Sequence, residues 1–177
     1  MNCVEFPNSA EQVFGREQID EAITRMCAEL SVALHDQNPV VLTVLNGGLI
    51  FASDCLKRFS FPLEIDCIHA TRYGDATQGG ELEWKSEPLI DLEGRTVLLL
   101  DDIFDEGITL ASIQEYCLNR KACKVYSAVL VKKNKKRLIE YQPDFFALKE
   151  RKDQFLFGMG MDYKGYWRNL PAVYTVT

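Results

Sequence analysis

The stretch that decides the fold is TVLLLDDIFDEGITL, residues Thr96 to Leu110. Its acidic residues Asp101, Asp102 and Asp105 have the Asp-Asp-x-x-Asp spacing with which some all-helical enzymes hold a magnesium diphosphate. The apolar run before them is rich in Leu and begins with β-branched residues, and Gly107 follows too soon for a helix to run through. We therefore predict a buried strand that passes through a loop into a helix.

The rest of the chain alternates in the same way. Apolar residues recur at helical spacing in some segments, and short continuous apolar runs indicate strands between them. Strands of this kind, separated by helices, predict an α/β fold whose mainly parallel sheet is covered on both faces. The predicted helices are 17–36, 49–59 and 109–120, the predicted strands are 40–45, 63–73, 95–100 and 124–131, and the tail 145–177 has strand-like pieces.

Three polar turns follow the predicted strands directly: NGG at 46–48, DDIFDEG at 101–107 and KKNKKR at 132–137. In parallel sheets ligands bind beyond the carboxyl ends of the strands, so the three turns would meet at one edge. Residues 105–109 would present backbone N–H groups at a helix start to an anion, with Gly107 allowing close approach. The pattern is not a Walker loop, and the chain has no Gly-x-Gly-x-x-Gly.

Composition sets the broad class. With 177 residues and 47% hydrophobic residues, the chain suits one domain, 1–177, with a substantial core. A net charge of −6 argues against nucleic-acid or membrane partners, and no apolar run is long enough to span a membrane. The six cysteines form no Cys-x-x-Cys, and the first residues do not look like a secretory signal. We therefore expect reduced, structural thiols and a cytoplasmic location.

VLLLDDIFDEGITL resembles the phosphoribosyl diphosphate signature of type I phosphoribosyltransferases. VLNGG, ATRYGDAT, LVKK, PDF and FGMGMDYKGYWRNL, in that order, resemble the hypoxanthine-guanine branch of that family. The resemblance implies the type I phosphoribosyltransferase fold, with a central mainly parallel sheet and helices on both faces. It also implies a mobile lid at about 74–88 and a small hood formed by the N-terminal segment and about 145–177.

The implied reaction belongs to purine salvage. With Mg²⁺, N9 of hypoxanthine or guanine displaces pyrophosphate from phosphoribosyl diphosphate and gives the nucleoside 5′-monophosphate IMP or GMP. One alternative is the same transfer to xanthine or a pyrimidine, and another is a nucleotide-sensing or RNA-binding regulator on the same fold. Members of the family are usually homodimers or homotetramers.

The resemblance assigns roles to the acids at the strand end and to the loop after them. Asp101 and Asp102 would bind the ribose hydroxyls and favour the positive charge that develops on the sugar. Asp105 would be the catalytic group at purine N7, although an Asp here could equally cap the following helix. The loop that would bind the 5′-phosphate comprises Asp105, Glu106, Gly107, Ile108 and Thr109.

The pyrophosphate site, the metal and the lid are assigned in the same way. The family counterpart of the Leu45–Asn46 bond is often a cis peptide, although NGG could also be an ordinary tight turn. Arg72 and Tyr73 would belong to the lid, which would keep water from the reactive sugar. The pyrophosphate ligands would be Leu45, Asn46, Gly47, Gly48 and Arg168, and the candidate Mg²⁺ ligands are Asp162, Asp101 and Asp102.

The base would be selected by a lysine. Lys132 would donate to the purine O6, and since an ammonium cannot accept from an amino group, adenine would be rejected. Phe155 would stack on the base, Leu156 would read its pyrimidine edge through the backbone, and Asp162 would complete the site. The remaining basic residues of the run, Lys133, Lys135, Lys136 and Arg137, are interpreted as a solvated loop.

Two positions depart from the family pattern. Glu106 stands where the family usually has Thr or Ser, which puts a negative side chain beside a dianionic phosphate, so we expect this side chain to turn away from it. Asn46 stands where the family often has Lys, and we expect Arg72 to restore the missing positive charge.

Overall fold

The computed structural model describes residues 4–72, 82–137 and 139–176. Helices and strands alternate through most of this length. Their bounds are β1 Ala10–Phe14, α1 Arg16–Leu34, β2 Val40–Val44, α2 Gly48–Leu56, β3 Glu64–Arg72, β4 Leu82–Ser86, β5 Thr96–Phe104, α3 Ile108–Asn119, β6 Lys124–Lys133, β7 Phe145–Glu150, β8 Leu156–Phe157 and β9 Val173–Val176.

Six of these strands form the central sheet, in the order β4-β3-β2-β5-β6-β7. All neighbouring pairs are parallel except β3 and β4, which are antiparallel. Strand β5, which carries the Asp-Asp-x-x-Asp segment, therefore lies inside the sheet between β2 and β6. The predicted mainly parallel sheet is confirmed, and residues 96–104 are strand rather than helix.

The two faces of the sheet bury separate apolar layers. Because successive side chains of a strand point to opposite faces, Leu98 and Leu100 pack with α1 and α2, whereas Val97 and Leu99 pack with α3. All four are fully buried, and each such side chain contributes about 1.5–3 kcal/mol relative to exposure. Helices therefore cover both faces, as predicted, and they hold β5 rigidly at the centre.

A second sheet, β1-β9-β8, is antiparallel and joins the two ends of the chain. Phe6 packs against Phe157, Trp167 and Tyr174 with ring centres 5.5–5.9 Å apart. This sheet corresponds to the predicted hood, but β7 belongs to the central sheet, so the hood begins after residue 150 and not at 145.

Two predicted strands were too short at their carboxyl ends. Strand β5 continues through Asp101 and Asp102 to Phe104, and β6 continues through Lys132 to Lys133. The reason is pairing between these strands, since Asp101 lies opposite Val129 and Phe104 opposite Lys132. Polar residues at a strand end remain in the sheet when the neighbouring strand satisfies their backbone groups.

The predicted lid also differs. Within the range 74–88, residues 82–86 form strand β4, which pairs with β3. Trp84 stabilises this strand by packing on Tyr116 of α3, with ring centres 4.7 Å apart. The part of the predicted lid at 74–81, together with Tyr73, lies outside the described residues.

Among the described cysteines, Cys27, Cys55 and Cys117 are buried free thiols, whereas Cys67 is half-buried and Cys123 is exposed. The prediction of structural thiols therefore fits three of these five positions, and Cys123 departs from it. No helix in the described part of the chain is long and apolar enough to cross a membrane.

Candidate active site

A cavity of about 650 Å³ opens at the carboxyl ends of the central strands. It brings together most residues predicted from the sequence, from three separate parts of the chain. From the NGG turn and its approach come Leu45, Asn46 and Gly47. From β5 and the loop come Asp101, Asp102, Asp105, Glu106, Gly107 and Thr109, and from the hood come Phe155, Leu156, Asp162 and Arg168.

Among the predicted residues whose side chains the structure describes, Gly48, Ile108 and Lys132 do not line this cavity. Gly48 and Ile108 are the first residues of α2 and α3. The side chain of Lys132 is described below. Only the backbone of Arg72, at the end of β3, is described. The lining includes three basic or titratable side chains that were not predicted: His69 of β3, Lys85 of β4 and Lys133 of β6.

Asp101 and Asp102 form a buried acidic pair at the end of β5. Asp101 Oδ1 accepts a hydrogen bond from the Asp102 backbone N–H at 2.9 Å, and Asp102 is 8% exposed. Burial raises the pKa of Asp102 to about 6, and burial followed by the neighbouring Asp102 charge raises the pKa of Asp101 well above its usual range. The pair therefore holds a proton more readily than free carboxyls do.

The loop after β5 turns sharply at Gly107, whose φ is +82°. A side chain here would be strained, and a Cβ would lie 2.4 Å from the Phe104 ring. Gly107 is also the N-cap of α3, and no side chain caps this helix start. The alternative role of Asp105 as a helix cap is therefore wrong, and the first N–H groups of α3 are available to an anion.

Asp105 is held between two ammonium groups. Lys135 Nζ lies 2.9 Å from its Oδ1, and Lys133 Nζ lies 3.3 Å from its Oδ2. Burial by itself would raise the pKa of Asp105, but the hydrogen bond from Lys135 and the charge of Lys133 hold this pKa below its usual value. Asp105 is thus held as an ionised carboxylate.

Arg137 stabilises the same loop by donating hydrogen bonds to backbone carbonyls of the loop. Its guanidinium donates to the carbonyls of Phe104 at 3.1 Å, of Lys135 at 3.2 Å and of Asp105, and it stacks on the Phe104 ring at 4.3 Å. The interpretation of Lys133, Lys135 and Arg137 as solvated is wrong. The contacts of Arg137 with Phe104 and Asp105 join residues 33 and 32 positions apart, which no local sequence pattern reveals.

Lys132, the predicted base-binding lysine, points away from the cavity. Its Nζ lies 5.1 Å from the centre of the Phe146 ring on β7, whereas Lys133 lines the cavity and is 7% exposed. Because β6 extends through both residues, their side chains leave opposite faces of the sheet. Of these two adjacent lysines, Lys133 lines the cavity and Lys132 does not, so the candidate for the base-binding role is corrected from Lys132 to Lys133.

The hood contributes a fixed arginine. Arg168 donates to Asp162 Oδ1 and to the Gly160 carbonyl, both at 2.7 Å, and Asp162 Oδ2 accepts from the Gly165 N–H at 2.8 Å. Phe155 is 50% exposed at the cavity, which fits a stacking role better than a core role. These side chains are part of the hood's contribution to the cavity lining.

The NGG turn touches the hood backbone to backbone. Gly160 has a φ of +105°, and a Cβ on it would lie 1.9 Å from the Gly47 carbonyl oxygen. A Cβ on Gly47 would lie 2.1 Å from Asp102 Oδ2. The Leu45–Asn46 peptide bond is cis, as predicted. Only glycines allow the turn, the hood and the acidic pair to approach this closely.

The carboxylates of this cavity suit a cation that binds together with the phosphates of a substrate. No group of three acidic, His or Cys side chains within residues 4–72, 82–137 and 139–176 could hold a metal by itself. Mg²⁺ usually keeps several waters and binds one or two carboxylates together with substrate phosphates. Asp101, Asp102 and Asp162 all line the cavity and could supply those carboxylates.

With this fold and this arrangement of acids, loop and hood, the chain belongs to the phosphoribosyltransferase family. The family model of the phosphoribosyl transferase domain matches residues 10–164. Among curated relatives, the hypoxanthine-guanine phosphoribosyltransferases of Bacillus subtilis and Aquifex aeolicus are 32% and 31% identical. These alignments cover 91% and 90% of this chain, and 89% and 90% of the relatives.

A solved structure agrees with these relatives. The hypoxanthine phosphoribosyltransferase of Staphylococcus aureus superposes with a TM-score of 0.88 at 27% identity. The superposition covers 94% of this chain and 91% of that one. The predicted type I phosphoribosyltransferase fold is thereby confirmed.

Proposed function

We propose that this protein is a purine salvage enzyme. It transfers the 5-phosphoribosyl group from phosphoribosyl diphosphate to N9 of hypoxanthine or guanine and gives IMP or GMP plus pyrophosphate. The observation that carries the proposal is the cavity itself, where an open helix start, a buried acidic pair and an ionised Asp105 meet. The relatives named above support the choice of base.

The cavity has a suitable group for each part of the donor. The N–H groups at the start of α3, with the Thr109 hydroxyl, suit the 5′-phosphate. Arg168 and the backbone of the NGG turn suit the pyrophosphate. Asp101 and Asp102 line the same cavity, and their carboxylates can accept from the ribose hydroxyls.

In the proposed reaction, the purine N9 bonds to the anomeric carbon as the carbon–oxygen bond to pyrophosphate breaks. Positive charge develops on the sugar, and the acidic pair favours this charge. The N7 proton passes to the Asp105 carboxylate, which the two lysines keep ionised beforehand. Mg²⁺, bound with the diphosphate and by Asp101, Asp102 or Asp162, would offset the negative charge of the leaving pyrophosphate.

Initial rates of pyrophosphate release with hypoxanthine, guanine, xanthine, adenine and uracil test this proposal. We expect turnover with hypoxanthine or guanine and at most traces with adenine and uracil. Exclusive turnover of xanthine or uracil would replace the proposed base. Release of no pyrophosphate with any base, together with RNA binding at physiological salt, would favour a regulator on the same fold.

Replacing Lys133 by Met should relax the selection of the base. We expect kcat/KM for hypoxanthine to fall about 10- to 100-fold, because a charged hydrogen bond contributes about 1.5–3 kcal/mol. The adenine rate should change much less, so the hypoxanthine-to-adenine ratio should fall.

The matched control is Lys132→Met, which removes the adjacent lysine on the other face of β6. We expect wild-type selectivity for this variant. The opposite pattern, with Lys132→Met impaired and Lys133→Met unaffected, would return the base-binding role to Lys132.

A further inference from the structure

Glu106 is the residue before the glycine of the anion-binding loop. Its carboxylate is paired with a cation and is not free in solvent. It bonds to the ammonium of Lys135, which also bonds to Asp105 Oδ1 at 2.9 Å. The Lys135 side chain is only 20% exposed, and Asp153 Oδ1 lies 3.8 Å from its Nζ. Lys135 therefore lies among three carboxylates, two of which, those of Asp105 and Glu106, line the cavity.

From this geometry we propose that Lys135 is a positioning residue for the 5′-phosphate loop. It holds the Glu106 carboxylate away from the N–H groups at the start of α3, so that a phosphate can bind there. The inference rests on the proposed function, and it assigns to Lys135 a task that exists only because Glu106 is present.

The physical reason is that the Glu106 carboxylate and the phosphate would compete for the same N–H groups at the start of α3. The start of α3 carries partial positive charge and has no side-chain cap. Glu106 lies two residues before the first helical residue, so its carboxylate is the anionic side chain nearest in sequence before the helix start. Without a cation to bind it, this carboxylate would be attracted to the N–H groups that the phosphate needs, and it would also repel the dianion.

The positive charge of Lys135 also neutralises the Glu106 carboxylate, which adds to the positioning effect. The hydrogen bonds that Lys135 donates to Glu106 and then to Asp105 raise the pKa of Lys135, so its ammonium stays charged at neutral pH. A permanent charge neutralises Glu106 whether or not ligand is bound. The expectation that Glu106 turns away from the phosphate thereby acquires a cause in a residue 29 positions further along the chain.

A double-mutant cycle with Glu106→Thr and Lys135→Met tests the inference. The readouts are the Kd of GMP, measured by calorimetry without a reaction, and the KM for phosphoribosyl diphosphate. In the wild-type background we expect Lys135→Met to weaken GMP binding about 10- to 100-fold, as the loss of a charged contact does. In the Glu106→Thr background the same change should weaken binding less than about threefold.

Two further variants complete the cycle. Lys136→Met removes the neighbouring exposed lysine and should leave the Kd of GMP unchanged. Lys135→Arg keeps the charge and should bind GMP within about threefold of wild type. The melting temperature of each variant is measured first, and Lys135→Gln replaces Lys135→Met if the latter does not fold.

Equal losses from Lys135→Met in both backgrounds, or no loss in either, would overturn the inference while leaving phosphoribosyl transfer intact. Wild-type protein that neither binds GMP nor releases pyrophosphate would overturn the proposed function, and the inference with it. A loss that Glu106→Thr rescues supports both.

Discussion

Replacing Asp105 by Asn should lower kcat for hypoxanthine about 10²- to 10³-fold, because proton transfer by a positioned side chain contributes in this range. Asn keeps the size and the hydrogen-bonding shape of the residue but cannot take the N7 proton. Since we propose that mainly backbone groups bind the 5′-phosphate, the KM for phosphoribosyl diphosphate should change by less than about fivefold. Steady-state kinetics at saturating concentrations of both substrates separate the two effects.

The matched control is Asp36→Asn, which removes an exposed carboxylate just after α1, at the opposite edge of the central sheet from the cavity. It should leave kcat unchanged. Turnover of Asp105→Asn within a few-fold of wild type would remove the catalytic role from Asp105 and leave it as a residue that only orients Lys133 and Lys135.

The second large effect concerns stability. Replacing Asp102 by Asn should stabilise the unliganded protein at pH 7.5 by up to about 3 kcal/mol and should weaken binding of the donor. Burial raises the pKa of Asp102 from 3.8 to about 6, and one pKa unit corresponds to about 1.4 kcal/mol. The ionised side chain therefore costs folding free energy, which the ribose hydroxyls would offset on binding.

Because the pKa of Asp102 is raised and not lowered, the pH range in which the stabilisation changes can be stated. Between pH 4 and 6 the folded protein holds the Asp102 proton more readily than the unfolded chain, so the free energy of unfolding falls as pH rises through this window. Above pH 6 the penalty is complete, and below pH 4 it is absent. The stabilisation by Asp102→Asn should accordingly be large at pH 7.5 and close to zero at pH 4.

Urea unfolding of wild type and Asp102→Asn at the two pH values measures this difference, with Asp36→Asn as the exposed control. An equal gain at both pH values would mean that the Asn acts through packing rather than through charge. No gain at pH 7.5 would mean that Arg168, whose charge lowers the pKa of Asp102, compensates for burial more fully than we infer.

The fold could be predicted because its signals are local. The apolar run before Asp101, the helical spacing within 17–36 and the glycine after Asp105 each act within a few residues, and each led to the observed element. The mainly parallel sheet and the helices on both of its faces followed from the alternation of strands and helices. Boundaries failed at the ends of β5 and β6, because pairing between strands decides where they stop.

The site was harder to predict at the level of single side chains. Two adjacent lysines in one strand point to opposite faces, and the sequence does not say which face carries the cavity. The contacts of Lys133, Lys135 and Arg137 with the loop after β5 depend on the sheet bringing together strands that are about 30 residues apart. The roles assigned to Asp101, Asp162 and the other ligand-binding residues stay predictions until a bound nucleotide is observed.

The contact between Gly160 and the Gly47 carbonyl limits how this cavity can be redesigned. Because no side chain fits at either glycine, a substitution at Gly47 or Gly160 would have to move the hood, the turn or Asp102. Bulkier donor analogues cannot be accommodated by enlarging this side through substitution. Variation of ligand range must instead come from residues whose side chains project freely, such as Phe155 or Lys85.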